Sequence, residues 1–343
     1  MEFYKNAVRI NKKYIKHIFN TPDDIGNWFG YYNYDVMNSD QTKMLCQKVS
    51  SEARVITSDM KIECGYYNVS SGKWFHIGFS DSYNWPQGCM LQWMKGTENK
   101  NKVIYNCSKN GHLVSVIHDI SEIEDDRIIN WSIYGLAPDG NKSIALNMER
   151  SYWCRAYHYY SVCNKLYDVR IADDDGIFEI DLKQNTRRRI VDIHDVIETD
   201  KEPYFDNAKH WLEHIMISPN GKRFCFYHRF TVSDLDSYET RVFIADIDGK
   251  NLQMIDGWRK FYWSHFGWNG DSSFTIYAYE QKEKSRSLKI RKRNTQGGIK
   301  RKKRNLKSVI RAIYKYLPIR FRHYVNTLRL KSYYQYYTVN DLL

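Results

Sequence analysis

Three groups that carry protons or charge bracket one short unit of this chain. The stretch EHIMISPNGKRFCFYHR, residues 213–229, has His214 at its entrance and the His228–Arg229 pair at its exit. Between them lie an apolar run, a Ser-Pro-Asn-Gly corner and a second apolar run, which is the pattern of strand, tight turn and strand. A neutral imidazole takes a proton or binds a metal. A guanidinium pairs a carboxylate through two parallel hydrogen bonds. The two strands are antiparallel, so the end of the second returns to the level at which the first began. The spacing therefore expects His214, His228 and Arg229 to converge, in a cluster suited to an acidic ligand.

The elements that must position these groups recur along the chain. IYGLAPDGNKSIALNMER (133–150) repeats the plan with a Pro-Asp-Gly corner, and SHFGWNGDSSFTIYAY (264–279) repeats it with Asn-Gly-Asp. YYNYDVMNSDQTKMLCQKV (31–49) turns at Asn-Ser-Asp, and GCMLQWMKGTENKNKVIYNC (88–107) is a looser copy. Further strand-like runs follow most copies, as in TRVFIADIDGKNLQMI (240–255). Four strands per fifty or so residues, repeated, predict an all-β chain with the four-stranded blades of a β-propeller. Five units are recognisable, near 24–80, 81–131, 132–207, 208–257 and 258–343, after an N-terminal segment 1–23. The third carries an insertion near 151–173 and the fifth a longer one near 281–331.

In a propeller the first strand of each blade lines the centre. His265 stands three residues before Trp268 as His214 stands three before Ile217, which expects both at one level in neighbouring units. Arg150 closes the preceding unit, and the insertion SYWCRAYHYY brings Arg155, Tyr157 and His158 beside it. Arg150 and Arg155 are candidate partners for a substrate carboxylate. Trp85, Trp93 and Gln87, in NWPQGCMLQW, are expected on another inner strand, to stack on a sugar and to hydrogen-bond it. A blander reading stands beside each assignment. Inner histidines also satisfy backbone groups between blades, a His-Arg pair also ends a solvated strand, and most of the aromatic content fills blade cores. Asp173, Asp174 and Asp175, next to Gly176, fit a polar turn as well as a cation.

The corners Ala-Pro-Asp-Gly and Ser-Pro-Asn-Gly, followed by an apolar strand and then ADIDG, resemble the TolB-like propeller repeat. HIMISPNGKRFCFYHR, followed by TRVFIADIDGKNL and SHFGWNGD, is similar to the oligogalacturonate lyase branch of that group. This resemblance implies a cytoplasmic seven-bladed propeller that cleaves uronate oligosaccharides by β-elimination, with clustered histidines for a divalent, manganese-like metal and for a base. On that reading His214, or else His228, is the base, Arg229 and Arg155 are carboxylate partners, Tyr157 is the proton donor, and His228 and His265 are metal ligands. The chain departs from the family in having five recognisable units, which expects a shorter propeller or an incomplete seven-bladed ring.

Composition narrows the alternatives. The chain has 343 residues and 15% aromatics, enough for a sizeable core. Its seven cysteines form no CxxC pair, and the N-terminal stretch lacks a signal-peptide core, so a reduced cytoplasmic setting is expected. There is no P-loop, GxGxxG, HExxH or Gly-x-Ser-x-Gly. The net charge of +12 is unevenly spread. Residues 282–331 hold 19 Lys and Arg against the single acid Glu283, leaving 33 basic and 39 acidic residues elsewhere, a net of −6. Leu306, Val309, Ile310, Ile313 and Leu317 share a helix face before Pro318, and Phe321, Tyr324, Val325 and Leu328 form a second stripe. The segment is thus expected as a basic amphipathic helical hairpin. It suits an anionic membrane surface better than nucleic acid, since the acidic body repels a long polyanion. A non-catalytic scaffold that binds a glycan or a protein at that surface is the second functional reading.

Overall fold

The computed structural model describes residues 26–49, 59–122, 126–150, 169–232 and 238–280, the backbone of 332–338, and the single residues Phe19, Thr21 and Ile56. The expected basic hairpin 282–331 and the insertion residues Arg155, Tyr157 and His158 lie outside the described residues.

The chain is built from antiparallel sheets of consecutive strands. The first holds β1 (Gly26–Trp28), β2 (Lys43–Val49), β3 (Ile62–Asn68) and β4 (Trp74–Ser80), side by side in that order. The second holds β5 (Gln92–Trp93), β6 (Lys102–Lys109), β7 (His112–Asp119) and β8 (Arg127–Ile129), again in order. The third holds β9 (Gly135–Leu136), β10 (Lys142–Ala145), β11 (Gly176–Asp181) and β12 (Thr186–Asp192). A short helix, α1 (Ile193–Glu198), follows, its first turn capped by the Asp192 carboxylate on the His194 amide. The fourth sheet holds β13 (Lys209–Ile217), β14 (Arg223–Thr231), β15 (Glu239–Asp246) and β16 (Gln253–Met254). The fifth holds β17 (Phe261–Trp268), β18 (Ser273–Glu280) and β19 (Ser332–Thr338). These are the four-stranded blades expected from the repeat, with three strands described in the last.

The corners behave as their residues dictate. Gly140 and Gly221 take φ 70° and 71°, and their amides bond back to Ala137 and Ser218. One copy differs from expectation. In 31–49 the first apolar run is not a strand, apart from a bridge between Met37 and Met44, and β1 comes from residues upstream of it.

The chain divides into two compact units, Met1–Tyr238 with Val242–Met254, and Glu239–Arg241 with Ile255–Leu343. Within the first unit each sheet is tied to the next by side chains. Ser80 donates to the Asn106 carbonyl, Gln92 to that of Tyr134, and Arg150 to that of His210. Between the first two sheets lies a core of Leu45, Ile62, Cys64, Cys89, Val103 and Tyr105. Each such side chain stabilises the fold by roughly 1.5–3 kcal/mol. The five described cysteines are free thiols and buried. Burial pushes the Cys46 and Cys107 thiols up to about 12, which leaves them protonated and inert at neutral pH. No described helix is long and apolar enough to cross a membrane.

Candidate functional site

Strand β14 decides where the His-Arg pair points. From Phe224 to Thr231 every residue is buried, because β14 lies inside its sheet with both faces covered. Successive side chains of a strand leave on opposite faces. Phe224, Phe226, His228 and Phe230 therefore take one face, and Tyr227 and Arg229 the other. This corrects the expected convergence, since neighbours on one strand cannot share one site.

On its face His228 is fully buried and stacks on His210, with ring centroids 5.1 Å apart. Its Nε2 lies 2.9 Å from His210 Nδ1, and His210 Nε2 lies 2.9 Å from the Phe205 carbonyl. The carbonyl accepts only, so His210 carries its proton on Nε2 and accepts from His228 on Nδ1. His228 Nε2 is thereby committed to a neighbour and not presented to a metal. Among the described residues no group of three His, Cys, Asp or Glu is arranged to hold an ion.

The other face carries a charged cluster. Glu213 is 1% exposed and its carboxylate accepts from Trp211 Nε1 at 2.7 Å and from Arg229 Nη1 at 2.7 Å. The Arg229 guanidinium also lies 4.6 Å from the Tyr238 ring and 5.1 Å from that of Tyr227. Arg229 thus faces an internal carboxylate, which is a correction to its expected role with a substrate carboxylate.

His214 sits in a β-bulge. The register of β13 against β14 shifts between Glu213 and Met216, and His214 takes φ 58°, a left-handed conformation unusual outside glycine. The bulge turns its ring away from the ladder. Its Nε2 lies 3.0 Å from the Tyr31 hydroxyl, and its Nδ1 lies 3.2 Å from Glu213 Oε2 without hydrogen-bond alignment. Tyr31 stands edge-on to the imidazole and packs on Tyr32, with centroids 4.4 Å apart. Tyr32 is 50% exposed, so an exposed ring lies beside the tyrosine that bonds the histidine.

In the second unit His265 occupies the matching bulge, between Ser264 and Phe266 of β17, with φ 42°. It is exposed, and its Nδ1 lies 2.7 Å from the Ser264 hydroxyl. The equivalence inferred from spacing therefore holds for backbone geometry. Met90, three residues before Trp93, takes φ 58° as well. The left-handed position is a property of the repeat that histidine occupies in two copies.

The remaining candidates are structural. Arg150 is 1% exposed and donates to the carbonyls of His210 and Arg170, so it fastens the entry to β13 instead of facing a ligand. Gln87 is buried, donating to the Tyr134 hydroxyl at 2.7 Å and accepting from Asn84. It lies in a tight loop before β5, not on an inner strand. Trp85, in the same loop, is half-buried against Trp28 and Tyr83. Trp93 is buried and donates to the Val36 carbonyl. The Asp173–Asp175 stretch is a turn, with the Asp175 amide on the Ala172 carbonyl and Arg189 on the carbonyls of Asp173 and Asp175. The residues missed from sequence are Glu213, Tyr31 and Tyr32. A lone acid inside an apolar strand beside a histidine was the available signal for Glu213. Tyr31 had none, because its contact spans 183 positions.

No family model matches this chain, and no curated protein matches it. Solved structures do. The tricorn protease is matched with 10% identity and a TM-score of 0.41, over 76% of this chain and 20% of that one. TolB from Acinetobacter baumannii is matched with 12% identity and a TM-score of 0.38, over 75% of this chain and 52% of that one. The β-propeller domain of the Trilobed protease from Pyrococcus furiosus is matched with 11% identity and a TM-score of 0.38, over 70% and 61%. At these values the likenesses bear on neither the site nor the activity.

Proposed function

We propose that this chain is a propeller that acts on an acidic oligosaccharide by proton transfer, with His214 as the acid–base group. The observation that carries this reading is the chain Glu213–His214–Tyr31. A buried carboxylate faces one ring nitrogen, a tyrosine hydroxyl bonds the other, and the histidine is held in a left-handed backbone. Strain of that kind, on a polar residue that glycine would relieve, gathers at functional sites, as do bulges. A base oriented by a carboxylate behind it is the arrangement that activates a hydroxyl.

The chemistry follows from the protonation pattern. With Nδ1–H turned toward Glu213, Nε2 is free to accept the Tyr31 proton. The Tyr31 phenolate then takes the proton next to the sugar carboxyl, the double bond forms as the bond to the glycosidic oxygen breaks, and the His214 imidazolium gives its proton to that departing oxygen, which returns both side chains to their starting states. Glu213 stabilises the imidazolium formed in between. Exposed Tyr32, packed on Tyr31, offers a ring to the apolar face of a pyranose. The substrate class rests on the resemblance of the repeat to the lyase branch. The proximity of Glu213, His214 and Tyr31 supports the relay.

The test is turnover of oligogalacturonates, read as ultraviolet absorbance of the unsaturated product. Tyr31→Phe and His214→Gln should each lower kcat by about 10²-fold or more with the melting temperature kept. Turnover unchanged in both variants would remove the relay, and binding without turnover in the native protein would leave a glycan-binding scaffold. That second reading is favoured by one further observation, the 19 to 1 excess of basic residues in 282–331. Under it the protein sediments with anionic vesicles, and deletion of that segment abolishes the effect.

A further inference from the structure

A second feature of the first unit is independent of the His214 cluster. The β11–β12 hairpin of the third sheet packs against the end of the second sheet. Arg127 donates to the carbonyls of Leu182 and Lys183, and the Asn185 side chain accepts from the Asn130 amide. These bonds hold the loop after β8 beside β12 and leave a cavity of about 430 Å³ between the two sheets. Its lining is mixed, with Leu113, Leu146 and Trp131 beside Asn130, Asn147 and Glu149.

Arg187 lies in this cavity. It pairs across the ladder with Ile180, and its guanidinium stands 4.1 Å from the ring centre of Trp131 and 4.4 Å from that of Phe178. Two aromatic neighbours order the side chain, which remains exposed on its other side. No described residue accepts a hydrogen bond from it or forms an ion pair with it. Its neighbours in sequence are used differently, Arg188 on Glu179 and Arg189 on Asp192. Trp131 also lines the cavity, and its indole N–H is buried without an acceptor. Such an N–H costs about 1–3 kcal/mol until something accepts from it. Arg187, a planar cationic fork, is thus the donor that the cavity presents, whereas the Trp131 N–H is sealed from it.

We propose that this cavity binds a small carboxylate carried on an apolar body. The carboxylate takes the Arg187 fork, which matches it in geometry and charge, and the body packs beside the half-buried Trp131. The size is that of ordinary small-molecule sites. The acids that act on Arg187 at longer range are Glu149 and Asp174. Glu149 lines the cavity, so its charge competes with the ligand's. Burial raises the Glu149 carboxyl pKa, which weakens that competition.

Calorimetric titration of the full chain with benzoate, cyclohexanecarboxylate and galacturonate, each against its neutral amide or sugar counterpart, tests this. At least one apolar carboxylate should bind roughly tenfold or more tightly than its amide, as a charge-assisted bond requires. Arg187→Gln should remove that preference, Glu149→Gln should strengthen it, and His214→Gln should leave it intact. Arg187 is exposed enough that its removal keeps the fold, which the melting temperature checks. Equal affinity for benzoate and benzamide, binding unaltered in Arg187→Gln, or no binding of either apolar acid would each overturn the proposal. Binding of galacturonate alone would overturn the apolar body.

Discussion

His214 combines two properties that seldom coincide, a left-handed backbone at φ 58° and a ring bonded through Nε2 to Tyr31 with Nδ1 beside a buried carboxylate. They separate under substitution. Glycine suits the backbone, whereas alanine keeps the strain without the ring's contacts. We expect His214→Gly to melt above His214→Ala, by about 1 kcal/mol at equal temperature, with both inactive. Equal melting would mean that the bulge relaxes when the ring is lost. Glu213 and Arg229 form the other residue-scale pair, with 2% and 5% of their side chains exposed. Glu213→Gln leaves Arg229 buried without its carboxylate and should cost about 3–5 kcal/mol in denaturant unfolding. A loss below about 1 kcal/mol would show that water reaches the pair.

At the scale of the element, the repeat corners depend on glycine to different degrees. A side chain on Gly140 would stand 1.9 Å from the Lys95 carbonyl, backbone against backbone, at φ 70°. Gly111 turns β6 into β7 at φ 76° with nothing within 4 Å. Gly111→Ala should therefore cost only the left-handed penalty, about 1 kcal/mol. Gly140→Ala should cost several times that, because the corner must leave the neighbouring loop. Similar losses at both would show that the Lys95 loop yields. The same scale explains what could be read in advance. Corners, strand pairs and unit lengths were legible because turn chemistry and apolar runs are local. The direction of His228 and Arg229 was not. A strand covered on both faces shows no alternation between polar and apolar residues, so its two faces look alike in sequence.

For the whole molecule the clearest titration is that of Asp175. It is buried at 1% exposure, and burial raises its carboxyl from 3.8 to about 7, against the lowering effects of the Gly176 amide and Arg150. Its Oδ1 accepts from the Gly176 amide, and its Oδ2 has no partner. Between those two values the folded protein holds a proton that the unfolded chain has released. That contribution is complete below the unfolded value and is lost as pH rises through the folded one. Stability should fall from about pH 4 to pH 7 by at most roughly 4 kcal/mol, and Asp175→Asn should flatten that slope. A slope unchanged in the variant would assign it to other groups.

The sequence by itself determined the sheets. Strand-forming runs, Pro-Asp-Gly and Asn-Gly corners and a repeat of about fifty residues act over a few neighbours, and they specify four-stranded antiparallel units wherever the rest of the chain lies. The matching positions of His214 and His265 were marked by their spacing, whereas the left-handed bulge that holds each of them was not. What only the tertiary structure decided was which polar groups meet. Tyr31 reaches His214 across 183 positions, and Arg229 turns inward to Glu213. Arg187, one of three consecutive arginines, is set apart by Trp131, which arrives from another sheet. Those pairings follow from how sheets pack on one another, and packing sums weak contacts between residues far apart in the chain.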